Sequence, residues 1–233
     1  GNLYVGGSFI QICGNTACNR GNTRVNNIAM WNGSSWQKMG FGFNGSVYAL
    51  TVSNGTIYAG GLFNRICFNE SCSSFTTANN LAKWNGASWS GVGNGVNSYI
   101  FALAANGNNV YVGGGFGSIC GNASCNSGNT PVNFLAKWDA GINSWSSISH
   151  GVNWDVRALA VNGSELFVGG VFTQVCTDPA CGGGVTVNRL AKWSFASSNW
   201  QVFGNGLNGL VSAITTNGSD VYVGGFFTMA GGV

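Results

Sequence analysis

The stretch Val110-Tyr111-Val112-Gly113-Gly114 runs three β-favouring residues into a pair of glycines. It does not stand alone. The same phrase occurs as Leu3-Tyr-Val-Gly-Gly7, Ile57-Tyr-Ala-Gly-Gly61, Leu166-Phe-Val-Gly-Gly170 and Val221-Tyr-Val-Gly-Gly225, so successive phrases start 54, 53, 56 and 55 residues apart. A fixed period of this length marks a repeat architecture. Working outward, each unit carries Ile28-Ala-Met-Trp31, Leu81-Ala-Lys-Trp84, Leu135-Ala-Lys-Trp138 or Leu190-Ala-Lys-Trp193, then a second tryptophan at Trp36, Trp89, Trp145 or Trp200. A third phrase leads into the next Gly-Gly: Val47-Tyr-Ala-Leu50, Ile100-Phe-Ala-Leu103, Val156-Arg-Ala-Leu159 and Val211-Ser-Ala-Ile214. The repeats are 3–56, 57–109, 110–165 and 166–220, with a partial fifth at 221–233, and the whole chain reads as one repeat domain.

Each phrase is a short β-branched, aromatic and aliphatic run bounded by Gly, Asn and Ser, which is the strand signature. Asn54-Gly55, Asn106-Gly107, Asn162-Gly163 and Asn217-Gly218 lie between the third phrase and the next Gly-Gly, and Asn32-Gly33 and Asn85-Gly86 lie between the two tryptophans. Such dipeptides tolerate the positive φ of a tight hairpin turn. Each unit is thus expected to be two hairpins, a four-stranded antiparallel sheet. One such sheet cannot bury both faces by itself, and stacking it on the next around an axis solves the problem. The expected fold is all-β: a β-propeller, or a propeller-like array, of four-stranded blades.

The order of phrases resembles the kelch repeat of galactose-oxidase-type propellers. It has an inner apolar strand, a strand ending in Gly-Gly, one ending in an aromatic and one opening with Trp. The resemblance implies that Val47 to Val52 is innermost, Ile57 to Gly61 second, Leu81 to Trp84 third and Trp89 to Val92 outermost. It implies too that the second-to-third and outermost-to-innermost connections share one face of the disc. Leu3 to Gly7 and Val221 to Gly225 would compete for one slot in a four-bladed ring. The chain is therefore expected to be a fragment of a longer one, either closing with more blades or running on as an open array.

Eight cysteines fall as Cys13 and Cys18, Cys67 and Cys72, Cys120 and Cys125, and Cys176 and Cys181, each pair in the loop after Gly-Gly. One pair per repeat favours the local connectivity over the other ways of joining eight thiols. In the fifth unit Gly231 stands at the first Cys position. Zinc is the rival reading of the thiols, but it would need the pairs to meet across blades in a chain with a single His. Disulfides imply a secreted or cell-surface protein. Sequons occur at Asn32, Asn44, Asn54, Asn69, Asn122, Asn162 and Asn217. Asn32, Asn54, Asn162 and Asn217 double as Asn-Gly turns, whereas Asn69 and Asn122 lie in the Cys loops, where no hairpin demands them. Glycans there would help solvate a surface with few charges.

Only 6% of residues are charged, against roughly 25% in an average soluble protein, and the net charge is +3 without like-charge blocks. A nucleic-acid partner is not expected on that basis. Apolar runs broken by Gly and Asn fall short of the roughly 20 residues a spanning helix needs. Catalysis finds little support. The carboxylates are Glu70, Asp139, Asp155, Glu165, Asp178 and Asp220, and the glycosidase-type pairing of Glu70 with Asp178 would require them to meet across the channel mouth. The copper site of the resembling oxidase requires at least two His, and no nucleophile motif accompanies His150. Neither cofactor nor metal is expected.

The third unit departs most from the repeat. Asn153-Trp154-Asp155 replaces Asn44-Gly-Ser46, Arg157 stands where Tyr48, Phe101 and Ser212 stand, and His150 replaces Phe41, Asn94 and Asn205. An exposed Trp beside Arg and Asp suits stacking and hydrogen bonding to a sugar; the plainer reading is an Asp155–Arg157 ion pair with Trp154 capping the blade edge. The expected function is an extracellular structural or adhesive scaffold that self-assembles into a filament or surface layer, with further copies of itself, a glycan or a matrix component as partner. Two alternatives stand beside it. One is a carbohydrate-binding module using Trp154, Tyr99 and Arg157 with Asp155 and His150; the other is an accessory domain of a secreted enzyme.

Overall fold

A computed structural model describes residues 1–231, so the last two residues of the partial fifth repeat lie outside it. The described residues form strands, turns and bends, without a helix. Three four-stranded antiparallel sheets repeat one order from inner to outermost strand. They are Val47–Ser53, Thr56–Gly61, Leu81–Trp84 and Trp89–Gly91; Ile100–Asn106, Asn109–Gly114, Leu135–Asp139 and Ser144–Ser147; and Val156–Asn162, Glu165–Gly170, Leu190–Ser194 and Asn199–Val202. A first sheet holds Leu3–Gly6, Ile28–Trp31 and Trp36–Lys38, and a last holds Leu210–Asn217 and Asp220–Phe226. Each four-stranded sheet straddles a repeat boundary, taking its inner strand from the end of one repeat and the other three from the next.

The core is layered between consecutive sheets rather than gathered at one centre. Ile57 and Ala59 join Ile28, Val47 and Ala82 between the first and second sheets, while Tyr58 between them in sequence points the other way, to Leu81, Ile100, Val110 and Trp138. A strand alternates sides at every residue. With both sides covered, Ile57 to Gly61 is buried at every position, which is why it reads as a continuous apolar run. The Gly-Gly pair makes this stacking feasible. A Cβ on Gly113 would come within 2.4 Å of Val156 Cγ1 on the next sheet, and one on Gly114 within 2.1 Å of the Tyr99 carbonyl oxygen. Across the outer hairpins the paired tryptophans face each other in register, Trp138 opposite Trp145 with centroids 5.4 Å apart at 62°. Such edge-on contacts suit the ring quadrupoles.

The layered core also buries tyrosine hydroxyls. Burial pushes the Tyr111 hydroxyl up to about 12 and raises that of Tyr58 as well. A phenol whose folded pKa is raised contributes stability that is fully present below pH 10 and is lost as pH rises through about 12. In a near-ultraviolet absorbance titration Tyr58 and Tyr111 should therefore ionise above the ordinary phenol range, together with unfolding. Ionisation of both near pH 10 in a folded chain would contradict this.

The turns follow the Asn-Gly dipeptides with a correction. Asn54 and Gly55 both have positive φ and form the two-residue loop between Ser53 and Thr56. In the next three hairpins the Asn is instead the last paired strand residue. Asn106 faces Asn109, and Gly107 opens the loop at φ 56°, the position at which a type II′ turn wants glycine.

After each of the first four Gly-Gly pairs the chain makes a small two-stranded ribbon, such as Arg65–Cys67 with Phe75–Thr77 or Gln174–Cys176 with Gly184–Thr186. A disulfide closes each ribbon loop: Cys13–Cys18, Cys67–Cys72, Cys120–Cys125 and Cys176–Cys181. All eight cysteines are thus paired within their own repeat. The connection from outermost to next inner strand lies against the following ribbon, through the bridges Phe43 to Ile66, Val96 to Ile119 and Val152 to Val175. Both long connections therefore occupy one end of the sheets, opposite the tight turns.

Candidate functional site

On that ribbon-bearing end, amides hold the loops. Asn44, Asn97, Asn153 and Asn208 each accept two backbone N–H bonds through Oδ1, for example from Gly117 and Ser118 to Asn97, both at 3.0 Å. Asn26, Asn79, Asn133 and Asn188 donate from Nδ2 to the carbonyls of Phe41, Asn94, His150 and Asn205. Asn94 and Asn205 at that last position also donate from Nδ2, to the carbonyls of Gly121 and Gly231. His150 thus stands where the second and fourth units use an amide to hold the following loop.

The expectation that no hairpin demands Asn69 and Asn122 is corrected. Their Oδ1 atoms accept the backbone N–H of Ser73 and Asn126, as Asn15 accepts that of Asn19. In the fourth ribbon Asp178 does this work, and the N–H groups of Gly183 and Gly182 hold its carboxyl below the usual carboxylate range. A short acceptor two residues after the first Cys is thus part of the disulfide loop. The other sequons differ in how their amides are engaged: Asn44, Asn54 and Asn162 donate from Nδ2 to Asn64, Asn108 and Gly218, whereas Asn32 uses only its Oδ1, toward Ser34 and Ser35.

The inner strands carry the other candidates. Each has a bulge in its pairing, between Val47 and Ala49, Ile100 and Ala102, Val156 and Ala158, and Val211 and Ala213. The extra residues are Tyr48, Phe101, Arg157 and Ser212, the positions that vary between units; a bulge re-aims its side chain out of the pleat. The first three form a row across neighbouring sheets. Tyr48 lies 5.7 Å from Phe101, and the Arg157 guanidinium lies 3.8 Å over the Phe101 ring. Arg157 also pairs with Asp155 at 3.0 Å, as the plainer sequence reading has it.

Trp154 goes elsewhere. It is 61% exposed, and its ring stacks on Phe134 at 6.4 Å. Tyr99 instead joins the row through Phe101, at 5.0 Å. The proposed trio of Trp154, Tyr99 and Arg157 therefore splits into a Trp154–Phe134 pair and a group centred on Phe101. Phe134 escaped the sequence reading, although it holds φ 62° where the earlier units have Asn27 and Asn80. Asparagine suits that region and its amide ties the following connection, Asn80 Nδ2 donating to the Val96 carbonyl. A bulky ring there is an outlier. Its spacing before Leu135 was the available signal.

A cleft of ≈ 600 Å³ opens between the second and third sheets' loops, lined among others by Asn64, Asn79, Asn80, Asn97, Ser98 and Tyr99. No lining residue is charged. Two ion pairs lie elsewhere, Lys38 with Glu70 at 3.0 Å and Lys192 with Glu165 at 2.6 Å. Glu70 and Asp178 are thus engaged separately, and among the described residues no cluster of three His, Cys, Asp or Glu could hold a metal ion.

No protein-family model and no curated protein matches this chain. Among solved structures it is similar to the computationally designed Ika4 protein, at 14% identity and a TM-score of 0.52, over 82% of this chain and 92% of that one. At that identity the likeness concerns the fold alone.

Proposed function

We propose that this chain is an extracellular structural or adhesive scaffold, a kelch-type β-propeller or open propeller-like array whose ribbon-bearing end is its contact surface. The observation that carries the reading is the regular row of disulfide-closed ribbons at that end. Each after the first is tied to the preceding repeat, as when Asn79 Nδ2 donates to the Ala123 carbonyl at 3.0 Å and Asn133 Nδ2 to that of Pro179 at 3.1 Å. Small stapled loops of this kind suit an oxidising compartment, and a nearly uncharged surface lets like surfaces approach without repulsion. On this reading the chain has no catalytic role, and its rigidity is what it supplies.

In its self-associating form the scaffold builds a filament or surface layer. Purified oxidised protein should then give regular assemblies by electron microscopy and a concentration-dependent mass by sedimentation. A strictly monomeric particle at high concentration would overturn that form of the proposal.

A further inference from the structure

Departures from the repeat on both sides of the boundary between the second and third repeats converge on the ≈ 600 Å³ cleft. In the other units the amide at the Asn97 position spends its Nδ2 on a side chain 20 residues on. Asn44 donates to Asn64 Oδ1 at 2.8 Å, Asn153 to Thr173 Oγ1 at 3.0 Å and Asn208 to Thr228 Oγ1 at 2.9 Å. In the second unit that residue is Gly117, and Asn97 Nδ2 donates to nothing in the described chain while its Oδ1 stays capped. Two positions earlier, Gly115 replaces Leu62 and Val171, and the Tyr99 ring lies in the space: a Cβ there would meet Tyr99 Cε2 at 2.2 Å. Tyr99 itself replaces Ser46 and Asp155. Three changes thus release one amide and set one aromatic wall.

The rest of the lining is complementary. Asn79 and Asn80 spend their Nδ2 groups on carbonyls, which leaves both Oδ1 atoms as acceptors. Asn64 accepts through Oδ1, which leaves its Nδ2 as a donor. Ser98, Ser124 and the Tyr99 hydroxyl add groups able to do both. The size falls within the roughly 300–1,000 Å³ usual for small-ligand sites. The next repeat has the same backbone and no such opening in its chemistry, because Phe134 stands for Asn80 and Trp154 for Ser98, and their rings stack.

We infer that this cleft binds a neutral saccharide. Fixed amides offering both donors and acceptors, without charge and beside an aromatic ring, match adjacent hydroxyls and the apolar face of a pyranose. They offer no counter-charge to an acidic ligand. The inference deepens the adhesive reading above and rests on it only for its biological sense.

The test is calorimetric titration of the oxidised protein with neutral cello-, xylo-, manno-, galacto- and chito-tetraose, and with a sulfated heparin tetrasaccharide as the charged comparison. At least one neutral sugar should bind and the sulfated one should not. Gly117→Thr introduces the partner found at Thr173 and Thr228 into open space and should weaken binding at least tenfold. Ser98→Trp should abolish it, and Trp154→Ala should leave it unchanged. Should Ser98→Trp fail to fold, Gly117→Thr decides alone. No neutral sugar bound, preference for the sulfated sugar, or affinity indifferent to Gly117→Thr each overturns the inference. Loss of sugar binding in a protein that still assembles removes the cleft and leaves the scaffold. Sugar binding by a strict monomer does the reverse.

Discussion

Phe116→Ala is expected to lower the stability of the chain by about 3–5 kcal/mol, the usual cost of emptying a fully buried phenylalanine site. Phe116 is 0% exposed and packs with Ile100, Val112, Ile119 and Val132 between the second and third sheets. Its backbone is committed as well, since its carbonyl accepts the N–H of Phe134 at 3.1 Å. The neighbours belong to two sheets and a ribbon that are hydrogen-bonded within themselves, so they cannot collapse into the void. Phe68, which is 53% exposed, supplies the comparison, and Phe68→Ala should change stability by no more than about 0.5 kcal/mol. Urea unfolding followed by tryptophan fluorescence measures both. Because each core lies between two sheets only, the Phe116 loss should appear in hydrogen exchange as protection lost around the second and third sheets first. An unchanged urea midpoint for Phe116→Ala would show that the layered core is wrong.

Removing all four disulfides should have the other large effect. Each bridge spans a sequence separation of 5, and closing so short a loop restricts the unfolded chain by about 2 kcal/mol. The ribbons lie in separate repeats, so their contributions should add, to about 8 kcal/mol. That is comparable with the whole stability of an ordinary domain, about 5–15 kcal/mol. Single-bridge variants such as Cys120→Ser with Cys125→Ser should remain folded with a modestly lower melting temperature, and the fully reduced chain should unfold at or near ambient temperature. The local acceptors Asn15, Asn69, Asn122 and Asp178 still shape each reduced loop, through the backbone bonds from Cys18, Cys72, Cys125 and Cys181. Far-ultraviolet spectra with and without reductant give the comparison. A reduced protein with an unshifted melting curve would mean that the bridges decorate loops the sheets already hold.

Much of this architecture was legible because it repeats. The five Gly-Gly phrases placed the second strands, the tryptophan pairs placed the outer hairpins, and the cysteine pairs, one per repeat, placed the bridges. The candidate site was harder to read. Trp154, Arg157 and His150 drew attention as departures from the pattern, yet Trp154 meets Phe134, Arg157 lies over Phe101 from a neighbouring inner strand, and the His150 carbonyl accepts from Asn133. The quieter replacements, Gly115 and Gly117, carry more of the cleft than the large residues do. A glycine signals only missing atoms, and what their absence releases depends on which side chain stands across the gap.

By itself the sequence determined the period, the strand identities and the pairing of sulfurs, since each of these is encoded within one unit and settled by near neighbours. Only the tertiary structure decided that one strand serves two cores, that Tyr48, Phe101 and Arg157 leave the pleat at bulges, and that Asn97 is left with an unspent donor. Those facts depend on contacts between residues that are not near neighbours in the chain, from the two strands of an inner hairpin to successive sheets. Their geometry follows from how one sheet seats on the next, which no short run of residues specifies.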